Sequence, residues 1–221
     1  MISKATLQFL KDLKKNNERG WFMDNKARFE EAKSDFEEFT NTLISQISRF
    51  DEGVGHLQAK DCIFRIYRDT RFSKDKSPYK TNFGAHITSA KSKSEIHTRA
   101  GYYIHLAPGD SMLAGGAYLP PTPWLKNIRS EINHHGKEFK KIITSATFKK
   151  YFTEIEGAKL VKAPKEFPKD HPDIELLKYK SYLAVHKPDD KTVLSKDFVK
   201  YSADVFKALK PFGDFLNRSQ D

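Results

Sequence analysis

Cysteine is nearly absent. Cys62 is the only one in 221 residues, so no intramolecular disulfide can form and the fold must rest on packing alone. That usage suits a reducing compartment, and the apolar neighbour Ile63 makes Cys62 read as a buried, inert thiol. The chain has no window approaching the roughly 18 uncharged apolar residues of a membrane span. Its first dozen residues carry charges where a signal peptide needs an apolar stretch. A cytoplasmic location without membrane partners is the expectation. Also missing are the phosphate loop Gly-x-x-x-x-Gly-Lys-Ser/Thr, the dinucleotide fingerprint Gly-x-Gly-x-x-Gly, the nucleophile elbow Gly-x-Ser-x-Gly and the zinc motif His-Glu-x-x-His. No cysteine cluster exists, and His86, His97 and His105 do not fall at close ligand spacing, so no metal is expected and no cofactor is indicated.

What is present describes a folded protein. An aromatic content of 13% is far too high for a disordered chain, and the length fits one domain spanning residues 1–221. The Pro-rich 163–172 stretch is the sole boundary candidate. A formal charge of +10 invites a polyanionic partner. The excess is split between residues 60–80, the Lys-rich 136–150 stretch and the 159–169 loop, with no basic tail, so nucleic acid is the less favoured partner and an anionic small molecule the preferred one.

Periodicity places the elements. Ser3 caps a helix with Thr6, Phe9, Leu10 and Leu13 inward, and Asn16-Asn17 can end it in the left-handed conformation. Trp21-Phe22 follows a tight turn, and Asp24 can cap a long helix whose face is Phe29, Ala32, Phe36, Phe39, Leu43, Ile47 and Phe50. The period then changes to two. Strands are expected near 62–69, 83–89, 99–106, 111–119 and 181–186, with Lys/Ser-rich and Pro-Gly-Asp turns between them. Helices are expected from Trp124 to about His135, over Glu138 to Phe152, at 172–178 and from Ser195 until Pro211 restarts a short tail. The fold class is α+β, a central and mainly antiparallel sheet packed by N-terminal and C-terminal helices.

The densest chemistry lies in Phe64 to Lys80, which packs six cations, two carboxylates and four aromatics. Arg65, Arg68 and Arg71 offer planar forks matching phosphate or carboxylate oxygens, and Lys74, Lys76 and Lys80 add flexible charges. Binding of a phosphate- or carboxylate-bearing ligand by Arg65, Arg68, Arg71, Lys76 and Lys80, with Tyr79 and Trp21 as walls, is the preferred reading. The competing one has Asp69 and Asp75 pairing with these cations to pin the loop, Phe72 and Tyr79 serving as core anchors. Tyr67, Phe72 and Tyr79 could also stack bases of a single strand. A basic protein-interaction module is a further alternative. So is an enzyme, with His86 or His105 acting as acid or base beside Asp69. Gly115-Gly116, inside a strand, marks a bulge or close backbone approach.

Leu13-Lys-Lys-Asn-Asn-Glu-Arg-Gly-Trp-Phe22, Phe64 to Thr81, Gly101-Tyr-Tyr-Ile-His105 with Gly115-Gly116, and His171-Pro172 with Leu176 to Tyr182 together resemble an uncharacterised bacterial family, domain of unknown function 2461. The resemblance runs over nearly the whole chain. It implies a single-domain bacterial cytosolic protein and carries over no catalytic residue, substrate or cofactor.

Overall fold

The computed structural model describes residues 1–71, 73–90 and 95–220. Phe72, expected as a core anchor, and the Lys/Ser-rich turn at 91–94 lie outside the described residues. The first helix, α1 (Lys4–Lys15), begins where the Ser3 hydroxyl accepts the Thr6 amide at 3.1 Å. It ends at Asn16 with φ −128°, not in the left-handed region, because the Asn16 amide and side chain both bond back to the Asp12 carbonyl. After a turn in which the Glu18 amide bonds the Asn16 carbonyl at 2.9 Å, Trp21 and Phe22 lie in a short helix, α2 (Arg19–Asp24). Asp24 therefore closes α2 and does not cap α3 (Lys26–Ile47), which starts after Asn25. The apolar stripe of α3 is buried as its spacing predicts, from Phe29 through Ile47. Each fully buried phenylalanine there contributes about 1.5–3 kcal/mol of transfer free energy. A 3-10 turn (Glu52–Val54) and α4 (Ala59–Cys62) follow, with Cys62 buried.

Strands β1 (Phe83–Ile87), β2 (Gly101–Leu106), β3 (Met112–Ala117) and β4 (Tyr182–His186) form one antiparallel sheet in the order β1-β2-β3-β4. The 62–69 stretch, expected as a further strand, forms only isolated bridges. Cys62 is taken by α4, Ile63 pairs with Ala85 of β1, and Tyr67 pairs with Tyr79 of its own hairpin. A run divided between two partners cannot continue one ladder. The expected pair of helices after Thr122 meets at His135, whose non-helical backbone (φ −122°, ψ 29°) divides α5 (Thr122–Thr144) into two helical stretches, and the second ends at Thr144, short of Phe152, before α6 (Ala146–Lys149). The chain continues through α7 (Ile174–Leu177), β4, α8 (Asp190–Val193) and α9 (Phe198–Arg218). Pro211 lies inside α9 and does not end it. Burial of Phe212, Phe215 and Leu216 offsets the lost backbone bond, an effect of about 3 kcal/mol. Among the described residues no helix is long and apolar enough to cross a membrane.

Chain contacts group into two compact units. The first comprises Met1–Ile87, Tyr103–Leu113 and Lys187–Asp204. Its core is aromatic, with Phe36 stacked on Phe83 at 5.4 Å and Phe39 on Phe198 at 5.1 Å. The second comprises Thr88–Tyr102, Ala114–His186 and Val205–Asp221, with Phe139 packed against Phe215 at 4.8 Å and Phe148 against Phe152 at 4.9 Å. In that unit a Cβ on Gly115 would collide with the Gly101 carbonyl and Leu209, and one on Gly116 with the Tyr182 carbonyl. Close approach of backbones is why the glycine pair sits in β3. Residues 156–160 run beside 178–183 along the outer side of β4, bridging at Glu156 to Leu183 and Lys159 to Tyr179. Gly157, at φ +148°, kinks this flank.

Candidate functional site

The 64–80 segment is a hairpin built from its own backbone. Arg68 N donates to the Pro78 carbonyl at 2.9 Å and Lys80 N to the Ile66 carbonyl at 2.7 Å, and Phe64 N reaches the Gly84 carbonyl at 2.9 Å. Tyr79 is buried and stacks on Phe22 of α2 at 4.0 Å, with the rings 13° from parallel. Burial raises the Tyr79 phenol above its ordinary pKa, the nearby Tyr67 adds to this, and the charges of Arg19 and Lys26 oppose it. Tyr79 is thus packed among the aromatic rings of the first unit, the position the competing core-anchor reading gives it. Trp21 packs at 6.1 Å on Phe9, with the Arg28 guanidinium 5.9 Å from its ring.

The cations of the segment divide sharply. Arg68 forms an ion pair with Asp75 and donates to Ser77 Oγ at 2.8 Å. Arg71 grips Asp69 with two bonds, Nε to Oδ1 at 3.0 Å and Nη2 to Oδ2 at 2.7 Å. Lys76 donates to the Thr70 carbonyl at 2.8 Å. These contacts hold both carboxylates well below the ordinary range, each at about 2. For Asp69 the Arg71 side chain is the main cause, and for Asp75 it is the Ser77 amide, then the Ser77 hydroxyl and Arg68. Three of the five cations proposed as binders therefore serve the loop itself.

Arg65 and Lys80 stand apart. Neither has a carboxylate in ion-pair contact among the described residues. Lys80 is half-buried with its ammonium 5.4 Å from the Phe64 ring, and burial, then the like charge of Arg65, pushes its pKa below the usual lysine value. Arg65 is exposed in the same hairpin, and Lys74 is exposed near the loop tip. Arg19, at the start of α2, is an additional exposed cation close enough to act on Tyr79. Sequence spacing offered no signal for it, since it lies 60 residues from Tyr79.

The candidate histidines lie on β1 and β2. His86 is 8% exposed on β1. His105, on β2, has Nδ1 3.4 Å from the Tyr103 hydroxyl. Burial lowers the His105 pKa, Asp110 partly restores it, and Lys187 lowers it again. Asp110 itself pairs with Lys187 at 2.9 Å and is held low by that bond. Asp69, the carboxylate expected beside these histidines, is engaged by Arg71, and the carboxylate acting on His105 is Asp110. Among the described residues no three His, Cys, Asp or Glu side chains gather as a metal-binding group.

Two hollows lie elsewhere. One of about 550 Å³ follows the 153–159 flank, with Glu154, Glu156, Lys159 and Tyr179 in its lining, and one of about 270 Å³ lies between Ser3, Thr6, Gln8, Arg28 and Glu31. Neither is lined by the 64–80 segment. In the second unit Arg129 is 7% exposed and donates to the Tyr179 carbonyl at 3.0 Å. One turn on, Asn133 bonds His171 at 2.9 Å, and the Asp173 amide donates to the other imidazole nitrogen at 3.0 Å. This face of α5 fastens the 171–179 stretch, which explains the His171-Pro172 string in structural terms.

A family model described as a conserved hypothetical protein (DUF2461) matches residues 5–215. Neither the curated proteins nor the solved structures supply a match.

Proposed function

The chain belongs to the DUF2461 family of conserved hypothetical proteins, and from that premise we propose that it binds a phosphate- or carboxylate-bearing ligand through Arg65 and Lys80, with Arg19 nearby. The observation that carries this reading is the division of the cations. Arg68, Arg71 and Lys76 are taken up within the hairpin, while Arg65 and Lys80 remain as neighbouring like charges, one of them partly desolvated. The charge of Arg65 acts against that of Lys80, Arg65 being in reach of Asp69 but in ion-pair contact with no described carboxylate, and a bound oxyanion relieves the repulsion on Lys80. The paired arginines act as scaffold, fixing the loop on which the binding pair is carried. The one buried cysteine suits a reducing compartment such as the cytoplasm.

A thermal-shift titration with phosphate, pyrophosphate and citrate tests the proposal. A ligand at 100 times its Kd adds about 2.7 kcal/mol of stability. The shift should shrink with added salt and disappear in Arg65→Ala/Lys80→Ala, while Lys74→Ala keeps it. A shift that survives intact in the double variant overturns the proposal.

A further inference from the structure

We infer that the ligand is a nucleotide unit, its phosphate at Arg65 and Lys80 and its base stacked on Tyr67. This rests on the anion-binding reading above and adds to it the chemistry of the uncharged half of the ligand. Tyr67 is 50% exposed, an unusual place for a large aromatic ring in a segment otherwise so charged. The ring is not loose. It packs on Tyr79 at 5.4 Å and on Phe22 at 6.2 Å, and those two rings stack on each other at 4.0 Å. A ring braced by two tilted neighbours, at 50° to Tyr79 and 56° to Phe22, loses little conformational freedom when a further ring covers its exposed part.

The same hairpin sets the spacing. Burial alternates from Arg65 to Asp69, with Arg65, Tyr67 and Asp69 exposed, Ile66 buried and Arg68 half-buried. Arg65 and Tyr67 thus share the outward row, two residues apart, which along an extended chain is on the order of 7 Å. A nucleotide spans such a gap between phosphate and base. Asp69, next in the row, is neutralised by the two-bond grip of Arg71, so it does not repel an incoming phosphate as a bare carboxylate would. A sugar phosphate or a tricarboxylate satisfies the cations equally well and has no use for the ring. The base also brings sequence tolerance, since every base offers a π-face. Free mononucleotide and single-stranded nucleic acid share this unit.

The experiment compares adenosine monophosphate, ribose 5-phosphate and a fluorescent twelve-residue oligothymidylate, by calorimetry and anisotropy, on the wild-type chain and on Tyr67→Phe, Tyr67→Leu and Arg65→Ala. Tyr67→Leu keeps apolar packing against Phe22 and Tyr79 while removing the π-face. A base-bearing ligand should bind the wild type about tenfold or more tighter than ribose 5-phosphate. Tyr67→Leu should abolish that preference without altering ribose 5-phosphate affinity, Tyr67→Phe should keep it, and Arg65→Ala should weaken every ligand. Preference for the oligonucleotide over adenosine monophosphate identifies the strand as the source, and equal affinity per nucleotide identifies the free form. Equal binding of ribose 5-phosphate and both base-bearing ligands, unaffected by Tyr67→Leu, overturns the stacking inference and leaves the anion site standing. No binding of any of the three overturns both.

Discussion

Asn17 clasps the backbone of Tyr79, its side-chain amide donating to the Tyr79 carbonyl at 2.9 Å and its side-chain oxygen accepting the Tyr79 N–H at 3.1 Å. The carboxamide does for one residue what a neighbouring strand does for a ladder. Residues 62 apart are joined this way, and the loop after α1 becomes the anchor of the basic hairpin.

Asn17→Ala leaves both backbone groups of a buried residue without that partner, at about 1–3 kcal/mol for each one not rescued by water. Urea unfolding should show the midpoint fall with the slope unchanged. Asn17→Asp keeps the acceptor and removes the donor, so its loss should be smaller at neutral pH. An unchanged midpoint in Asn17→Ala would mean that the hairpin does not depend on the clasp.

Asp69 and Asp75 make the loop sensitive to acid. Both are depressed to about 2 from the ordinary 3.8, so the unfolded chain takes up their protons first as pH falls. The stabilisation is complete above 3.8 and is lost as pH drops through about 2. Carboxyl carbon NMR should give both midpoints near 2. In Arg71→Ala the Asp69 midpoint should rise toward 3.8 while Asp75 stays low.

Much of this arrangement was legible where the physics is local. The stepping phenylalanines of α3 and the Ser3 cap follow from helical spacing, and the alternation of Arg65, Tyr67 and Asp69 follows from strand parity. The boundary at Asp24 was misplaced because a good capping residue also ends a helix well, and α2 uses it so. Pro211 reads as a breaker from sequence, yet the buried face of α9 outweighs it. Within the hairpin, residue types permitted both a ligand-binding role for every arginine and a structural one. Asp69 with Arg71 and Asp75 with Arg68 are only two and seven residues apart, but their pairing depends on the turn geometry. The Asn17 clasp and the nearness of Arg19 to Tyr79 are products of tertiary folding and leave no trace in periodicity.

His105 should titrate below an ordinary histidine, since burial disfavours its charged form. The unfolded chain then binds the proton more readily. Stability from this residue is complete above the ordinary 6.5 and is lost as pH falls through the lowered value of the folded state. Asp110→Asn removes the one charge that favours the imidazolium, so the imidazole proton signal in NMR should shift at a still lower pH. A midpoint unmoved by that substitution would falsify the assignment of Asp110 as the facing carboxylate.

Gly116→Ala combines a backbone at φ +118° with a Cβ driven onto the Tyr182 carbonyl. The cost should be about 3 kcal/mol, enough to lower the melting temperature sharply. Gly213→Ala is the contrast. It lies in α9 with nothing within 4 Å of the added methyl, and it should stabilise the chain by about 0.5–1 kcal/mol. Calorimetry of the two variants side by side checks both signs.

The flank along β4 has a colloidal consequence. An outermost strand left bare would offer passing molecules a row of amides and carbonyls on which to build a further strand. Here residues 156–160 take up several of those groups, and the flank that replaces them is bent at Gly157 and carries the charged Lys159. Bends and charged side chains blunt an edge as a template, so this border is a poor one on which a copy of the chain could add a strand.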